Sequence, residues 1–132
     1  MPIEVELRQV GPATSEASIR GHQALIDRPT EKGGDDRGPM GGELLLASLG
    51  GCFLSNLFEA IRTRQAPIRN VTARVSGELE GAPPRFARIT LEVRAEADDP
   101  AELEKLVSIA ERSCIVSNTL RNAVQLTVRV AR

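Results

Sequence analysis

Residues 43–64 read ELLLASLGGCFLSNLFEAIRTR, the most apolar stretch of the chain. Leu44, Leu45, Leu46, Leu49, Phe53, Leu54, Leu57, Phe58 and Ile61 fall on nearly every face of a helix, a pattern that predicts a buried central helix rather than a surface one. Gly50 and Gly51 each cost such a helix about 1 kcal/mol relative to alanine, and they sit immediately before Cys52. Either another element packs closely on these glycines or they open a path to the thiol. Both readings put a crowded environment around Cys52.

The segments on either side follow from local pattern. Residues 28–42, RPTEKGGDDRGPMGG, hold five glycines, two prolines and six charges, a composition that sustains neither helix nor strand. A loop of that length in a small domain is usually functional or disordered. Before it, residues 3–10 alternate Ile3, Val5 and Leu7 with Glu4, Glu6 and Arg8, and residues 17–26 carry a weaker alternation, so an antiparallel hairpin or meander is expected. After the helix, residues 68–81 and 86–97 alternate and are joined by GAPPR, which predicts a strand hairpin with a proline-stiffened turn. Asp98, Asp99 and Pro100 then open a second helix, with Leu103, Leu106, Val107 and Ala110 on its buried face. A break is expected near Arg112 and Ser113, with a polar cap before Cys114, a short helical piece over 114–123 and a closing strand over 124–130. The order of elements is α+β, an antiparallel sheet around a long central helix. At 132 residues the chain is a single domain, 1–132, which buries roughly 70% of its extended surface without disulfide or metal support.

Composition removes several function classes. Seventeen basic against eighteen acidic residues, a net charge of -1, supply no positive field for nucleic acid or an anionic membrane. Fifteen of the basic residues are arginine, which stays charged. Aromatic residues make up 2% of the chain, too few for a base-stacking platform. One histidine and two cysteines do not complete a four-ligand zinc site. The longest nearly uncharged stretch, 44–57, is shorter than the roughly 20 residues of a bilayer span, and the amino terminus MPIEVELRQV lacks an apolar signal core. The expectation is a soluble cytoplasmic protein whose cysteines are thiols rather than a permanent bridge.

Those two thiols carry the chemical signal. Either alone reads most simply as a small buried hydrophobe. Together they have different settings: Cys52 lies within the most buried helix, whereas Cys114 follows Ser113 at a helix start, where free amides favour a thiolate. A peroxide-reducing dithiol needs an attacking thiolate, a cation or donor array to stabilise it, an apolar pocket and a resolving thiol. Helical spacing brings Ser48, Ser55, Asn56 and Glu59 near the Cys52 face. Glu59 lies about 10 Å along the axis from Cys52 and is expected to be solvated or ion-paired. Glu43, nine residues before Cys52, reaches the thiol only if the chain is still loop there or a partner subunit folds across.

The segments GGDDRGPMGGELLLASLGGC (33–52) and SCIVSNTL (113–120) resemble the OsmC/Ohr family, the osmotically inducible and organic hydroperoxide resistance proteins. The first is similar to a loop and helix ending in Leu-Leu-Leu-Ala-x-Leu-Gly-x-Cys, the second to the family's later cysteine segment, commonly Cys-Pro-Val-Ser-x-x-Leu. The resemblance covers essentially the whole chain. It implies an intertwined homodimer with two central helices enclosed by sheets and active sites at the subunit interface. Cys52 would be the peroxidatic thiol and Cys114 the resolving one, restored by a dithiol donor such as a lipoylated protein, with no metal or flavin. The family's best-studied peroxidases place a glutamate ten residues before the cysteine, a position held here by Gly42. The neighbouring Glu43 matches a glutamate common in the broader OsmC-like group, and Ile115 stands where proline is usual. These departures resemble the general OsmC-like members more than the Ohr enzymes.

The expected activity is reduction of small organic hydroperoxides in oxidative stress defence, with Cys52, Cys114, Arg37 and Glu43 as the site. Arg28, Lys32 and Arg37 are the cations of the preceding loop, and Arg37 is favoured for its adjacent acids and flanking glycines. The alternative is a non-catalytic ligand-binding or redox-sensing protein that keeps the dimeric scaffold and an apolar pocket.

Overall fold

The computed structural model describes residues 2–122 and 124–131. Their elements are β1 (Glu6–Gln9), β2 (Ser15–Ile19), β3 (His22–Ile26), a 3-10 turn (Thr30–Lys32), α1 (Gly41–Arg64), β4 (Ile68–Glu80), β5 (Arg85–Ala97), α2 (Pro100–Ser113) and α3 (Ile115–Arg121). The fold is α+β with antiparallel pairing, as expected, but the strands form two sheets rather than one, in the orders β1-β2-β3 and β4-β5. The chain divides into two compact units, Met1–Leu45 and Leu46–Arg132.

In the first unit the 17–26 alternation is split between two strands. Arg20 and Gly21 both have positive φ, 49° and 81°, and form the two-residue connection between paired Ile19 and His22. Such a turn matches the twist of an antiparallel hairpin. The centre of this unit is polar. Asp27 is buried and its carboxylate accepts from Thr14 Oγ1 (2.8 Å) and from the amides of Arg28 (2.6 Å), Arg37 (3.2 Å) and Asp35 (3.4 Å). Four donors on one carboxylate give the glycine-rich loop a fixed path. Close approach requires glycine at two places: a Cβ at Gly34 would lie 2.0 Å from the Arg28 carbonyl oxygen, and one at Gly38 2.2 Å from that of Leu25.

In the second unit, α1 buries Leu49, Phe53, Leu57 and Ala60, spaced by four, four and three residues, so one stripe faces the core. They meet Leu106, Ala110 and Cys114 from the carboxyl-terminal helices, with Ile68 completing the buried set. The inward residues of the long hairpin, among them Val75, Leu91 and Val93, pack against it. By length and a mean hydropathy of 1.6, α1 meets the requirement for a membrane span, yet this stripe packs into a protein core. The expectation of burial on all faces is corrected, since Phe58 remains 49% exposed.

Asp99 caps α2 through Ala101 N–H (3.0 Å), and Pro100 occupies the first turn, where its missing donor costs nothing. The break after α2 is where the pattern placed it, but Cys114, rather than Ser113, is the junction. Its amide donates to Glu111 O (3.3 Å) to end α2, and its sulfur accepts from Ser117 N–H (3.4 Å) to start α3. Position 123, in the expected short helix, lies outside the described residues. Residues 124–130 are not a strand: they pair with no other strand among the described residues, and Leu126, Val128 and Val130 are more than 80% exposed. Alternation marks a segment fit to add to a sheet but does not provide the edge on which it adds.

Candidate functional site

Cys52 on α1 and Cys114 at the α2–α3 junction are 62 residues apart in sequence, and packing brings them together in the second unit. Both are free thiols, Cys52 half-buried and Cys114 fully buried. The two thiols lie close enough for each to shift the pKa of the other. The amides of Val116 and Ile115, at the start of α3, act to lower the pKa of Cys52, while the Ser117 amide donates to the Cys114 sulfur at 3.4 Å. Asn56, one helical turn beyond Cys52, donates through Nδ2 to the Cys52 carbonyl at 3.0 Å and approaches its sulfur at 4.0 Å.

These surroundings move the two thiols in opposite directions. Burial pushes Cys52 up, but the Val116 amide, the Cys114 thiol and the Ile115 amide outweigh it and hold its pKa below the ordinary thiol value. For Cys114 burial dominates. The Ser117 and Val116 amides offset it only in part, and a neighbouring Cys52 thiolate raises it further. The helix start therefore exists where the sequence placed it, and its Ser117 amide serves the Cys114 sulfur, but burial outweighs that donor.

The remaining candidates have their own partners. Glu59 pairs with Arg62 and accepts from Thr63, the ion-paired surface role expected of it. Glu43 is helical, in the first turn of α1, and its carboxylate accepts the Met40 amide at 2.8 Å, so the chain is not loop there. Arg37 directs Nη1 to the Val10 carbonyl at 3.2 Å. Arg28 and Lys32, with Met40, Gly41 and Gly42, line a cavity of about 440 Å³ in the first unit. An open apolar groove of about 730 Å³ in the second unit is walled by Leu49, Phe53, Leu91, Val93, Leu103 and Val107. Ser117 also lines it, and the same residue's amide contacts the Cys114 sulfur, so the groove reaches the thiols' immediate neighbourhood. Among the described residues no cluster of metal-ligating side chains is present.

Residues 33–129 match the family model for the OsmC-like protein. The chain belongs to the OsmC-like family. Among solved structures, an OsmC-like protein from Mycoplasma pneumoniae is similar at 17% identity and TM-score 0.78, over 92% of this chain and 88% of that one. An organic hydroperoxide resistance protein from Elizabethkingia anophelis is similar at 21% identity and TM-score 0.66, covering 89% of this chain and 86% of its own. The organic hydroperoxide resistance protein OhrB of Bacillus subtilis follows at 19% identity and TM-score 0.62, over 89% of each chain. At these identities the likeness establishes the OsmC-like fold. No curated protein matches the sequence.

The sequence reading did not anticipate that burial outweighs the α3 amide at Cys114, because burial is set by tertiary packing.

Proposed function

We propose that this OsmC-like protein is a thiol-dependent peroxidase that reduces organic hydroperoxides. The observation that carries the reading is the contact between two free thiols of opposite tendency, one half-buried and lowered in pKa, the other buried and raised. In this reading the Cys52 thiolate attacks the terminal oxygen of the hydroperoxide and the O–O bond breaks. The leaving alkoxide takes a proton to become the alcohol, and Cys52 becomes a sulfenic acid. The Cys114 sulfur then displaces that hydroxyl as water, forming a disulfide. A dithiol such as a lipoylated protein reduces it by two electrons, becoming a disulfide in turn. The apolar groove beside α3 suits the organic tail of the substrate.

The functional unit is an intertwined homodimer in a reducing, cytoplasmic setting. The exposed alternation over 124–130 and the open groove support a second copy. Arg37 supplies the cation that orients the peroxide, and Glu43 stands in for the glutamate replaced by Gly42. Cys52→Ser is expected to abolish hydroperoxide turnover, and Cys114→Ser to leave a sulfenic acid that a dimedone adduct reveals. Equal turnover by wild type and Cys52→Ser ends the proposal.

A further inference from the structure

We infer that Asn56 is the side-chain hydrogen-bond donor of Cys52, resting on the Cys52 carbonyl while the sulfur is a thiol and drawn onto the sulfur when it ionises. This rests on the reading of Cys52 as the reacting thiol and adds to it a neutral side chain with no part in the bond-breaking steps.

Side chains on a helix lean towards its amino terminus, so the residue at i+4 lies over the residue at i. In α1 that direction carries the half-buried Asn56 amide back over Cys52. Nδ2 lies 3.0 Å from the Cys52 carbonyl oxygen. A carbonyl oxygen only accepts, so this contact fixes the orientation of the amide: its NH2 group, rather than Oδ1, faces the cysteine. One of the two hydrogens serves the carbonyl. The other is left for the sulfur, 4.0 Å away. A thiol sulfur is a weak acceptor, which leaves that contact loose, whereas hydrogen bonds to a charged acceptor are shorter and stronger. The donor therefore closes on the sulfur as charge develops there.

Helix formation does not ask for asparagine at this position. Asparagine ranks below alanine and leucine in a helix interior because its side chain competes for backbone groups. The carbonyl it holds already receives the Asn56 backbone N–H through the helix ladder, so the side-chain bond is not needed to satisfy it. Of the polar residues on this face, Glu59 is committed to Arg62 and Thr63. Among the described residues, Asn56 is the one nitrogen- or oxygen-bearing side chain within hydrogen-bonding distance of the Cys52 sulfur. Within Leu46–Arg132 the titratable group acting on Cys52 is Cys114, and Asn56, which does not titrate, offers its donor whatever the protonation of that second thiol.

The test measures the pKa of Cys52 from the pH dependence of its iodoacetamide alkylation, with the adduct located by mass spectrometry. Asn56→Leu and Asn56→Ala both remove the donor, the first covering the site and the second uncovering it. Each is expected to raise the pKa by about half a unit, roughly a threefold loss of thiolate at any pH below both values. An unshifted pKa in the folded variants overturns the inference, and so does a rise in Asn56→Leu alone, which marks burial rather than a lost donor. If neither variant folds, the wild-type protein carries the test. Its two Asn56 side-chain amide proton resonances are expected to respond unequally to the ionisation of Cys52, the one facing the sulfur moving and its twin on the carbonyl staying, with the transition lost in Cys52→Ser; resonances that ignore Cys52 overturn the inference. Neither readout involves peroxide, so a protein that shows these shifts but turns over no hydroperoxide ends the peroxidase reading and leaves the donor assignment standing.

Discussion

The two glycines before Cys52 lie on one helix and have different neighbours, so a pair of alanine substitutions isolates a single packing contact. Each replacement gains about 1 kcal/mol of helix propensity. A Cβ on Gly51 meets no atom within 4 Å, so Gly51→Ala should raise stability by about that amount. A Cβ on Gly50 would fall 3.0 Å from Val75 Cγ2 on β4, inside the roughly 3.5–4.0 Å at which carbons rest. Val75 is β-branched and stiff at χ1, and overpacking of this kind costs about 1–3 kcal/mol. Gly50→Ala should therefore end at least about 1 kcal/mol less stable than Gly51→Ala. Urea unfolding followed by circular dichroism reads the difference. Running it at two protein concentrations separates any contribution from association, which depends on concentration. In a double-mutant cycle, Val75→Ala should lessen the penalty at Gly50 and leave Gly51→Ala unaffected. Equal stabilisation by the two alanines, or no coupling between 50 and 75, would refute close helix–sheet packing as the reason for Gly50.

Leu57, fully buried where α1 meets α2, should cost about 2–5 kcal/mol on replacement by alanine; a loss under 1 kcal/mol in urea titration would contradict its place in the core. Asp27, despite burial, has its carboxyl held below the ordinary 3.8 by the Thr14 hydroxyl and the amides of Arg28, Arg37 and Asp35. Around that pH the unfolded chain binds more protons than the native one, so this contribution is present above about pH 4 and is lost as pH falls through the lower native value. Asp27→Asn should lower the Tm at neutral pH and flatten its acid limb; an unchanged limb removes Asp27 as the cause. In a limited iodoacetamide reaction near pH 8, Cys52 should be modified well before Cys114, and preferential labelling of Cys114 would reverse the order of thiol roles.

Local chemistry was sufficient for most elements, because each signal acts within a turn or a strand. Asp99 and Pro100 placed the start of α2 through cap and φ preference, and the alternation through Val75 and Leu91 gave the long hairpin. The second-sheet hairpin and the thiol-bearing helix were legible for that reason. The 17–26 run was not legible as two strands, because its turn depends on Arg20 adopting a positive φ that its residue type does not announce. The closing alternation over 124–130 describes a face without supplying the edge it pairs with. The family motif identified Cys52 and Cys114 as a pair, but the donor to the Cys114 sulfur is a main-chain group, which carries no letter in the sequence.

By itself, then, the sequence determined most element types, the pair of candidate cysteines and the family to which the chain belongs. These depend on side-chain periodicity and residue identity. Only the tertiary structure decided which sulfur is the more deeply buried, Cys114 fully and Cys52 in part, and so which is the harder to ionise. That difference is set by contacts between residues far apart in the chain, and no local pattern encodes it.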